Sequence, residues 1–230
     1  MVIHGLQKLT LVDYPGHVAA IVFTGACNFR CPFCHNSSLV LNPSSEPVVP
    51  EDEFFDFLKK RKGLLEAVVV TGGEPTLQKD LIPFLGKIKE LGYLVKLDTN
   101  GYRPDVLSSA IDSGYVDYVA MDIKNSLDSY PKTAGLTFFN ENNIAKSASL
   151  LLEGDIEYEF RTTVVKELHD KENFEKIGQW LKGARHYYLQ SFVPSENTIE
   201  KGFGKPGLDM LEIYAKTLRN YITNVEIRDL

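Results

Sequence analysis

The chain has 230 residues, of which 43% are hydrophobic and 24% are charged, and this length suits one folded domain with a core of its own. Its formal net charge of −6 argues against a nucleic-acid partner, because phosphate binding needs a concentrated basic face. No apolar run approaches the ~18 residues that span a bilayer, and the N-terminus lacks the layout of a secretory signal. We therefore expect a cytoplasmic protein with no membrane partner.

Short apolar runs alternate with longer helical periods from residue 17 onward, a pattern typical of βα units and a parallel sheet. A strand within Leu6–Pro15 is expected to lead into the first unit. Six further strands are predicted at His17–Thr24, Ala67–Thr71, Leu94–Asp98, Val116–Ile123, Glu157–Val165 and His186–Phe192. Helical periods are predicted at Pro50–Lys60, 81–88, Pro104–Asp112, Asn140–Leu152, Glu172–Leu181 and Leu208–Ile222.

The number of units indicates the architecture. Six units are fewer than the eight of a closed barrel, so the sequence predicts an α/β fold, a partial (β/α)6 barrel of the TIM type. Periodicity alone leaves a doubly wound sheet as an alternative. A single domain is expected over residues 1–230, with a strand extension at 1–16 and a core at 17–230.

Three cysteines, Cys27, Cys31 and Cys34, lie within eight positions directly after the first predicted strand. An odd number of closely spaced cysteines suits metal or redox chemistry better than a disulfide framework. A [4Fe–4S] cluster usually takes one thiolate per iron, and the chain has no fourth cysteine. One iron would therefore lack a cysteine ligand and could bind a cofactor or substrate.

Two other interpretations of the cysteine segment remain open. His35 could complete a Cys3His zinc site, which is a permitted ligand set, but it adjoins Cys34 and is poorly spaced to close a tetrahedron. The three residues could also be buried thiols without a metal, which the polar flanking residues disfavour.

Polar and glycine-rich segments follow the next three predicted strands. They are Thr71–Pro75, Asp98–Gly101 and Asp122–Lys124, and ligands of parallel β/α folds gather at this edge of the sheet. Such turns are by default plain connections. Arg161 lies in a strand suited to burial, where it needs either a ligand or a salt bridge with Glu157 or Glu159.

The cysteine segment resembles the cluster motif of the radical S-adenosylmethionine superfamily, C-x3-C-x-aromatic-C, with Phe33 in the aromatic place. The resemblance implies a [4Fe–4S] cluster whose unique iron binds the amino and carboxylate groups of S-adenosylmethionine, with Phe33 near the adenine. One electron from the cluster would cleave this cofactor to methionine and a 5′-deoxyadenosyl radical.

Further site residues follow from the resemblance. The turn Thr71–Pro75 is similar to the GGEP motif of the superfamily, which implies that Gly72, Gly73 and Glu74 bind the methionine amino group. The segment Asp122–Lys124, at the end of the fourth predicted strand, resembles a segment of the glycyl-radical enzyme activases. This resemblance implies that Lys124 contacts the cofactor carboxylate. The same activases place an arginine on the fifth strand, and Arg161 matches it.

A cation site is also implied by the activase resemblance, since the residues that match Asp98, Thr99 and Asp122 bind a monovalent cation near the cofactor. Gln190, on the sixth predicted strand, is a candidate for the substrate side.

Residues 5–8, 11–16, 22–24, 34–36 and 224–228 resemble the longer-type activating proteins of anaerobic ribonucleotide reductase. One departure is Ala26, where a residue such as glycine is expected. The resemblance implies hydrogen abstraction from a glycine of a partner glycyl-radical enzyme, with flavodoxin or ferredoxin as electron donor. Two alternatives stay open: a radical enzyme for a small molecule, similar to the deazapurine-forming synthases, and a non-catalytic metal-binding module.

Overall fold

The computed structural model describes residues 1–228, which form eight strands and eight α-helices. The strands are β1 (Ile3–Thr10), β2 (Ala19–Thr24), β3 (Ala67–Gly72), β4 (Leu94–Thr99), β5 (Tyr118–Asp122), β6 (Glu157–Val164), β7 (His186–Ser191) and β8 (Asn224–Arg228). The helices are α1 (Ser37–Leu41), α2 (Glu51–Lys60), α3 (Leu81–Glu90), α4 (Pro104–Asp112), α5 (Tyr130–Ala134), α6 (Glu141–Glu153), α7 (Lys171–Trp180) and α8 (Leu208–Leu218).

The chain divides into two compact units. The first unit consists of Met1–Asn28 and Ser38–Ala120, and the second consists of Phe29–Ser37 and the chain from Met121 onward. The cysteine segment contributes Cys27 to the first unit and the other two cysteines to the second. The expectation of a single domain over residues 1–230 stays a prediction.

In the first unit the strand order is β1-β2-β3-β4. Strand β1 runs antiparallel to β2, whereas β2, β3 and β4 run parallel, with Ala67 opposite both Ala19 and Leu94. Strands β2 and β3 are built mainly of small and β-branched residues, which suits strands that are buried on both faces. One face carries a buried apolar cluster of Tyr14, Ala19, Ile21, Ala67 and Val69. The carboxyl ends of the parallel strands, beyond this cluster, carry the polar motifs.

In the second unit β6, β7 and β8 run parallel. Arg161 lies opposite Tyr188, and Gln190 lies opposite Arg228. Helices α7 and α8 pack together, and the rings of Phe174 and Tyr214 stack with their centroids 4.4 Å apart. Helix α8 also packs against β7 and β8, and it therefore supports the strand that carries Gln190.

Strands β2 to β7 lie where the sequence predicts them, but the two outer strands differ from the prediction. Strand β1 ends at Thr10 instead of near Pro15, because Leu11 and Val12 are 69% exposed and the Thr10 hydroxyl accepts hydrogen bonds from the amides of Val12 and Asp13. Strand β8 was not predicted, because Val225 is its one buried residue and the apolar signal is weak. No helix within residues 1–228 is long and apolar enough to cross a membrane.

Candidate functional site

The first cysteine follows a residue with an unusual backbone conformation. Ala26 has a φ of 66°, and among residues 1–228 it is the one non-glycine residue with positive φ. Its amide donates to the Leu39 carbonyl at 2.8 Å, and its carbonyl accepts from the Glu74 amide at 2.8 Å. The left-handed conformation costs about 1–2 kcal/mol for an L-residue, which accounts for the glycine expected here. These two hydrogen bonds hold the backbone that leads into Cys27.

The two glycines after β3 lie against the same segment. A Cβ atom added to Gly73 would lie 1.9 Å from the Ala26 carbonyl oxygen, and one added to Gly72 would lie 2.2 Å from the Thr24 amide nitrogen. Gly72 also has a φ of 123°, which only glycine adopts readily. The two glycines therefore allow the end of β3 to lie close to the backbone that precedes Cys27.

Glu74 is 1% exposed, and its carboxylate joins the ends of β3 and β4. Its Oε1 accepts hydrogen bonds from the Thr99 hydroxyl at 2.7 Å and from the amide and hydroxyl of Thr76, while its Oε2 accepts from the Asn100 amide at 2.7 Å. Burial raises the pKa of Glu74, and these four donors oppose that shift. The carboxylate thus positions the two turns that follow β3 and β4.

Strand β4 ends in a polar segment that reaches the first cysteine. The Asn100 side-chain amide lies 3.8 Å from the Cys27 sulfur and donates to the Asn28 side-chain oxygen at 2.8 Å. Three residues before the end of the strand, Lys96 is completely buried and its Nζ lies 2.8 Å from Asp98 Oδ1. Sequence reasoning missed Lys96 and Asn100; a lysine between apolar residues in a buried strand was the available signal.

In the second unit, the loop carrying Cys31 and Cys34 is fixed by its backbone. The Cys34 amide donates to the Cys31 carbonyl at 3.0 Å, and the Arg30 amide donates to the Ala134 carbonyl at the end of α5 at 2.9 Å. The Glu200 amide donates to the Pro32 carbonyl at 2.8 Å. Burial raises the pKa of the Cys34 thiol, although the Asn36 amide and the charge of Lys124 oppose the shift.

The aromatic residues of this loop pack on Phe192. The Phe33 ring meets the Phe192 ring edge-on at 6.3 Å, and the His35 ring stacks on it at 5.2 Å. His35 Nε2 also lies 2.7 Å from the Val193 carbonyl oxygen. Because Nε2 has a backbone partner, a metal ion bound by His35 would have to use Nδ1, so this contact leaves the zinc alternative to be decided by experiment.

An ion network surrounds Asp122 at the end of β5. Its Oδ2 lies 2.9 Å from Lys124 Nζ, and its Oδ1 lies 2.9 Å and 3.0 Å from two nitrogens of Arg161. Burial alone would raise the pKa of Asp122, but the Arg161 and Lys124 charges hold it well below its usual range. Burial alone would lower the pKa of Lys124, but the negative charges of Asp122 and of an ionised Cys31 hold it above its ordinary value. Lys124 is therefore charged at neutral pH.

The structure decides between the partners considered for Arg161. Arg161 pairs with Asp122, Glu159 lies 3.8 Å away, and Glu157 pairs with Arg185 instead. Glu159 is fully buried and receives two further contacts from Arg228, at 3.1 Å and 3.3 Å.

Arg228 also belongs to the surroundings of the predicted substrate-side residue. Its guanidinium stacks over the Tyr188 ring at 3.4 Å, and Gln190 is its register partner across β7 and β8. Gln190 therefore lies on a strand face that carries a stacked arginine, a feature sequence reasoning did not identify.

His169 supports the backbone of Lys124. The His169 Nε2 lies 2.8 Å from the Lys124 carbonyl oxygen, and Nδ1 lies 3.0 Å from the Val165 amide nitrogen. A neutral ring with its hydrogen on Nε2 satisfies both contacts, since Nδ1 then accepts and Nε2 donates. Burial lowers the pKa of His169, so the folded protein keeps this ring neutral.

Acidification should therefore destabilise the second unit through His169. Because its pKa is lowered on folding, the unfolded chain binds the proton first, and the stabilising contribution present above about pH 6.5 is lost as the pH falls. The loss is roughly 1.4 kcal/mol for each pH unit over which only the unfolded chain is protonated. Urea unfolding between pH 8 and 5 measures it, with His169→Gln as the comparison; an equal pH slope in both proteins would refute the assignment.

The donor set fits a [4Fe–4S] cluster and S-adenosylmethionine. The three cysteines are thiols without disulfides, and no three His, Cys, Asp or Glu side chains within residues 1–228 converge on one metal ion. A cluster binds its thiolates through separate irons, so the thiolates need not converge on a point. Lys124 uses one N–H for Asp122, and an ammonium has three, so donors remain for a carboxylate.

Comparisons with known proteins agree with this chemistry. The family model described as the radical SAM superfamily matches residues 21–178. A Methanocaldococcus jannaschii protein named as a glycyl-radical enzyme activating enzyme is 35% identical over 99% of this chain and 96% of its own. The pyruvate formate-lyase-activating enzyme of Clostridium pasteurianum is 27% identical over 90% of this chain and 87% of its own.

A solved structure shows the same fold. Streptococcus suis SuiB bound to S-adenosylmethionine matches 91% of this chain with a TM-score of 0.68 at 16% identity. The match covers 51% of SuiB, so this chain spans about half the length of that protein. The predicted α/β class and the resemblance stated from the motifs are confirmed, whereas the roles of individual residues stay predictions.

Proposed function

Because the chain belongs to the radical S-adenosylmethionine superfamily, we propose that it cleaves this cofactor reductively and abstracts a hydrogen atom from a glycine of a partner glycyl-radical enzyme. The observation that carries the proposal is the relative named for this activity, since the likeness extends over nearly the whole of both chains. The pyruvate formate-lyase-activating enzyme supports it at lower identity, again over most of both chains.

The cluster would be held by Cys27, Cys31 and Cys34. When bound, it supplies one electron that breaks a carbon–sulfur bond of S-adenosylmethionine, leaving methionine and a 5′-deoxyadenosyl radical. The chain's own contribution is positional. Ala26 and its two backbone hydrogen bonds set the start of the loop, and the Asn100 amide lies beside the Cys27 sulfur, where a hydrogen bond would tune the reduction potential.

The cofactor would be bound by residues of several strand ends. Lys124 presents a positive charge that suits the methionine carboxylate, and Arg161 is oriented by Asp122. The backbone of the segment that contains Gly72, Gly73 and Glu74 would receive the methionine amino group, while the Glu74 carboxylate itself remains with Thr76, Thr99 and Asn100. Phe33 would lie near the adenine.

The partner proposed most specifically is anaerobic ribonucleotide reductase, on the resemblance of the N-terminal and C-terminal segments to its activating proteins. Gln190 would lie on the side of the protein substrate. A flavodoxin or ferredoxin would supply the electron.

The experiment is anaerobic incubation of the reduced, cluster-loaded protein with S-adenosylmethionine and a co-encoded glycyl-radical enzyme, followed by electron paramagnetic resonance. A doublet from a glycyl radical is expected, together with one 5′-deoxyadenosine per radical formed. A partner labelled with α-deuterated glycine should transfer deuterium into the 5′-deoxyadenosine, and a Gly→Ala variant of the partner should give no doublet. Turnover of a small molecule without any doublet would instead support the small-molecule alternative.

A further inference from the structure

We propose that the ammonium group of Lys96 occupies the place of a monovalent metal ion beside Asp98, so that this protein binds S-adenosylmethionine without potassium or sodium. The inference rests on the proposed function and concerns the cation that the activase resemblance implied at Asp98, Thr99 and Asp122. The side chains present in the structure do not fit that ion.

Lys96 is built into β4 so that its charge faces Asp98. The two residues are separated by one position on the strand, so their side chains point to the same face of the sheet. Lys96 is completely buried, and its Nζ lies 2.8 Å from Asp98 Oδ1. The Tyr118 ring centroid lies 5.9 Å from the same nitrogen, a distance at which an aromatic face attracts a cation.

A buried ammonium of this kind cannot be exchanged for another cation at little cost. Ionised groups are buried only with a charged or hydrogen-bonded partner, and Asp98 supplies that partner for Lys96. A metal ion placed on the same carboxylate would lie close to the ammonium and would be repelled by it. Because Lys96 has no exposed surface, its charge cannot move into solvent to make room.

The remaining oxygen atoms implied for the ion have other partners. The Thr99 hydroxyl donates to Glu74 at 2.7 Å and accepts from the Gly101 amide at 3.1 Å. In the second unit, Asp122 already lies within 3.0 Å of the cationic groups of Lys124 and Arg161. Each carboxylate of the implied set is thus neutralised by a cationic side chain of its own unit.

The test measures cofactor binding to the oxidised, cluster-loaded protein by equilibrium dialysis, where no cleavage takes place. Three buffers of equal ionic strength contain about 100 mM of tetramethylammonium, potassium or sodium chloride, which removes differences in screening. The wild-type dissociation constant is expected to agree within about twofold among the three buffers. An affinity about tenfold lower in tetramethylammonium than in potassium or sodium would overturn the inference.

Lys96→Met provides the matched comparison, because it removes the charge and retains a long apolar stem. Its affinity in tetramethylammonium should fall about tenfold and recover in potassium or sodium, as an alkali ion fills the vacated place. An affinity of Lys96→Met unaffected by all three salts would also overturn the inference. If this variant fails to fold, the double variant Lys96→Met, Asp98→Asn replaces it, because it leaves no buried charge at that place. The affinity of the double variant for S-adenosylmethionine should not respond to alkali ions. A response would count against the inference.

The outcomes separate the two proposals. A wild-type protein that binds S-adenosylmethionine only with potassium or sodium keeps the proposed function and refutes the role of Lys96. A cluster-loaded protein that binds no cofactor in any of the three buffers refutes the proposed function, and the inference fails with it.

Discussion

Replacement of Cys31 by alanine is expected to abolish cluster binding while leaving the polypeptide folded. Cys31 is 7% exposed, and its backbone carbonyl accepts the hydrogen bond from Cys34 that shapes the loop, which alanine retains. The side-chain change should cost about 1 kcal/mol of stability, since one buried sulfur atom is removed. Iron bound after anaerobic reconstitution should fall from about four per chain to less than one, because two thiolates cannot hold the cube.

The matched control for this prediction is His35→Gln. His35 contacts Val193 and Phe192 and is not expected to ligate metal, so the variant should keep about four irons per chain. Brown iron–sulfur absorbance retained by Cys31→Ala would refute the ligand assignment. One zinc per chain in the wild-type protein, lost in His35→Gln, would instead establish the zinc alternative.

Replacement of Gly73 by alanine should destabilise the protein by about 3 kcal/mol, which is a large effect for one methyl group. The added Cβ would lie 1.9 Å from the Ala26 carbonyl oxygen and 2.7 Å from its carbon, and neither backbone atom can rotate away. The end of β3 would have to move, which breaks the hydrogen bonds from the Gly73 amide to Thr24 and from the Glu74 amide to Ala26, both 2.8 Å long.

Gly204→Ala is the matched control for the glycine prediction. Its added Cβ would meet two flexible side chains, Glu167 at 3.0 Å and Lys166 at 3.6 Å, so a change of less than about 1 kcal/mol is expected. Urea unfolding of both variants without cluster measures the free energy of unfolding. Equal midpoints for Gly73→Ala and the wild-type protein would show that β3 does not need its close approach to Ala26.

Much of the fold could be predicted because local patterns carry it. The run of buried β-branched residues predicts strand β3, and the periodic apolar residues predict helix α3, each from a short stretch of sequence. The outer strands were harder, because β8 buries only Val225 and β1 ends at a turn that the Thr10 hydroxyl stabilises. Such strands depend on their neighbours more than on their own sequence.

The candidate site could be predicted only where one short segment carries the chemistry, as the cysteine spacing does. Contacts between distant residues were out of reach: Glu74 accepts from Asn100 across 26 positions, and Arg161 pairs with Asp122 across 39. Glu157 and Glu159 are candidate partners because they lie near Arg161 in the sequence. In a sheet, however, a side chain also has neighbours on the adjacent strands, and the sequence alone does not identify them. The burial of Lys96 likewise became visible only in the fold.

The most direct test of the account is the appearance of 5′-deoxyadenosine. The protein is reconstituted anaerobically with iron and sulfide, reduced with dithionite and mixed with S-adenosylmethionine, and the products are separated by chromatography. The account predicts 5′-deoxyadenosine from the wild-type protein and none above background from Cys27→Ala, Cys31→Ala or Cys34→Ala. A wild-type protein that carries a full, reduced cluster and forms no 5′-deoxyadenosine would contradict it.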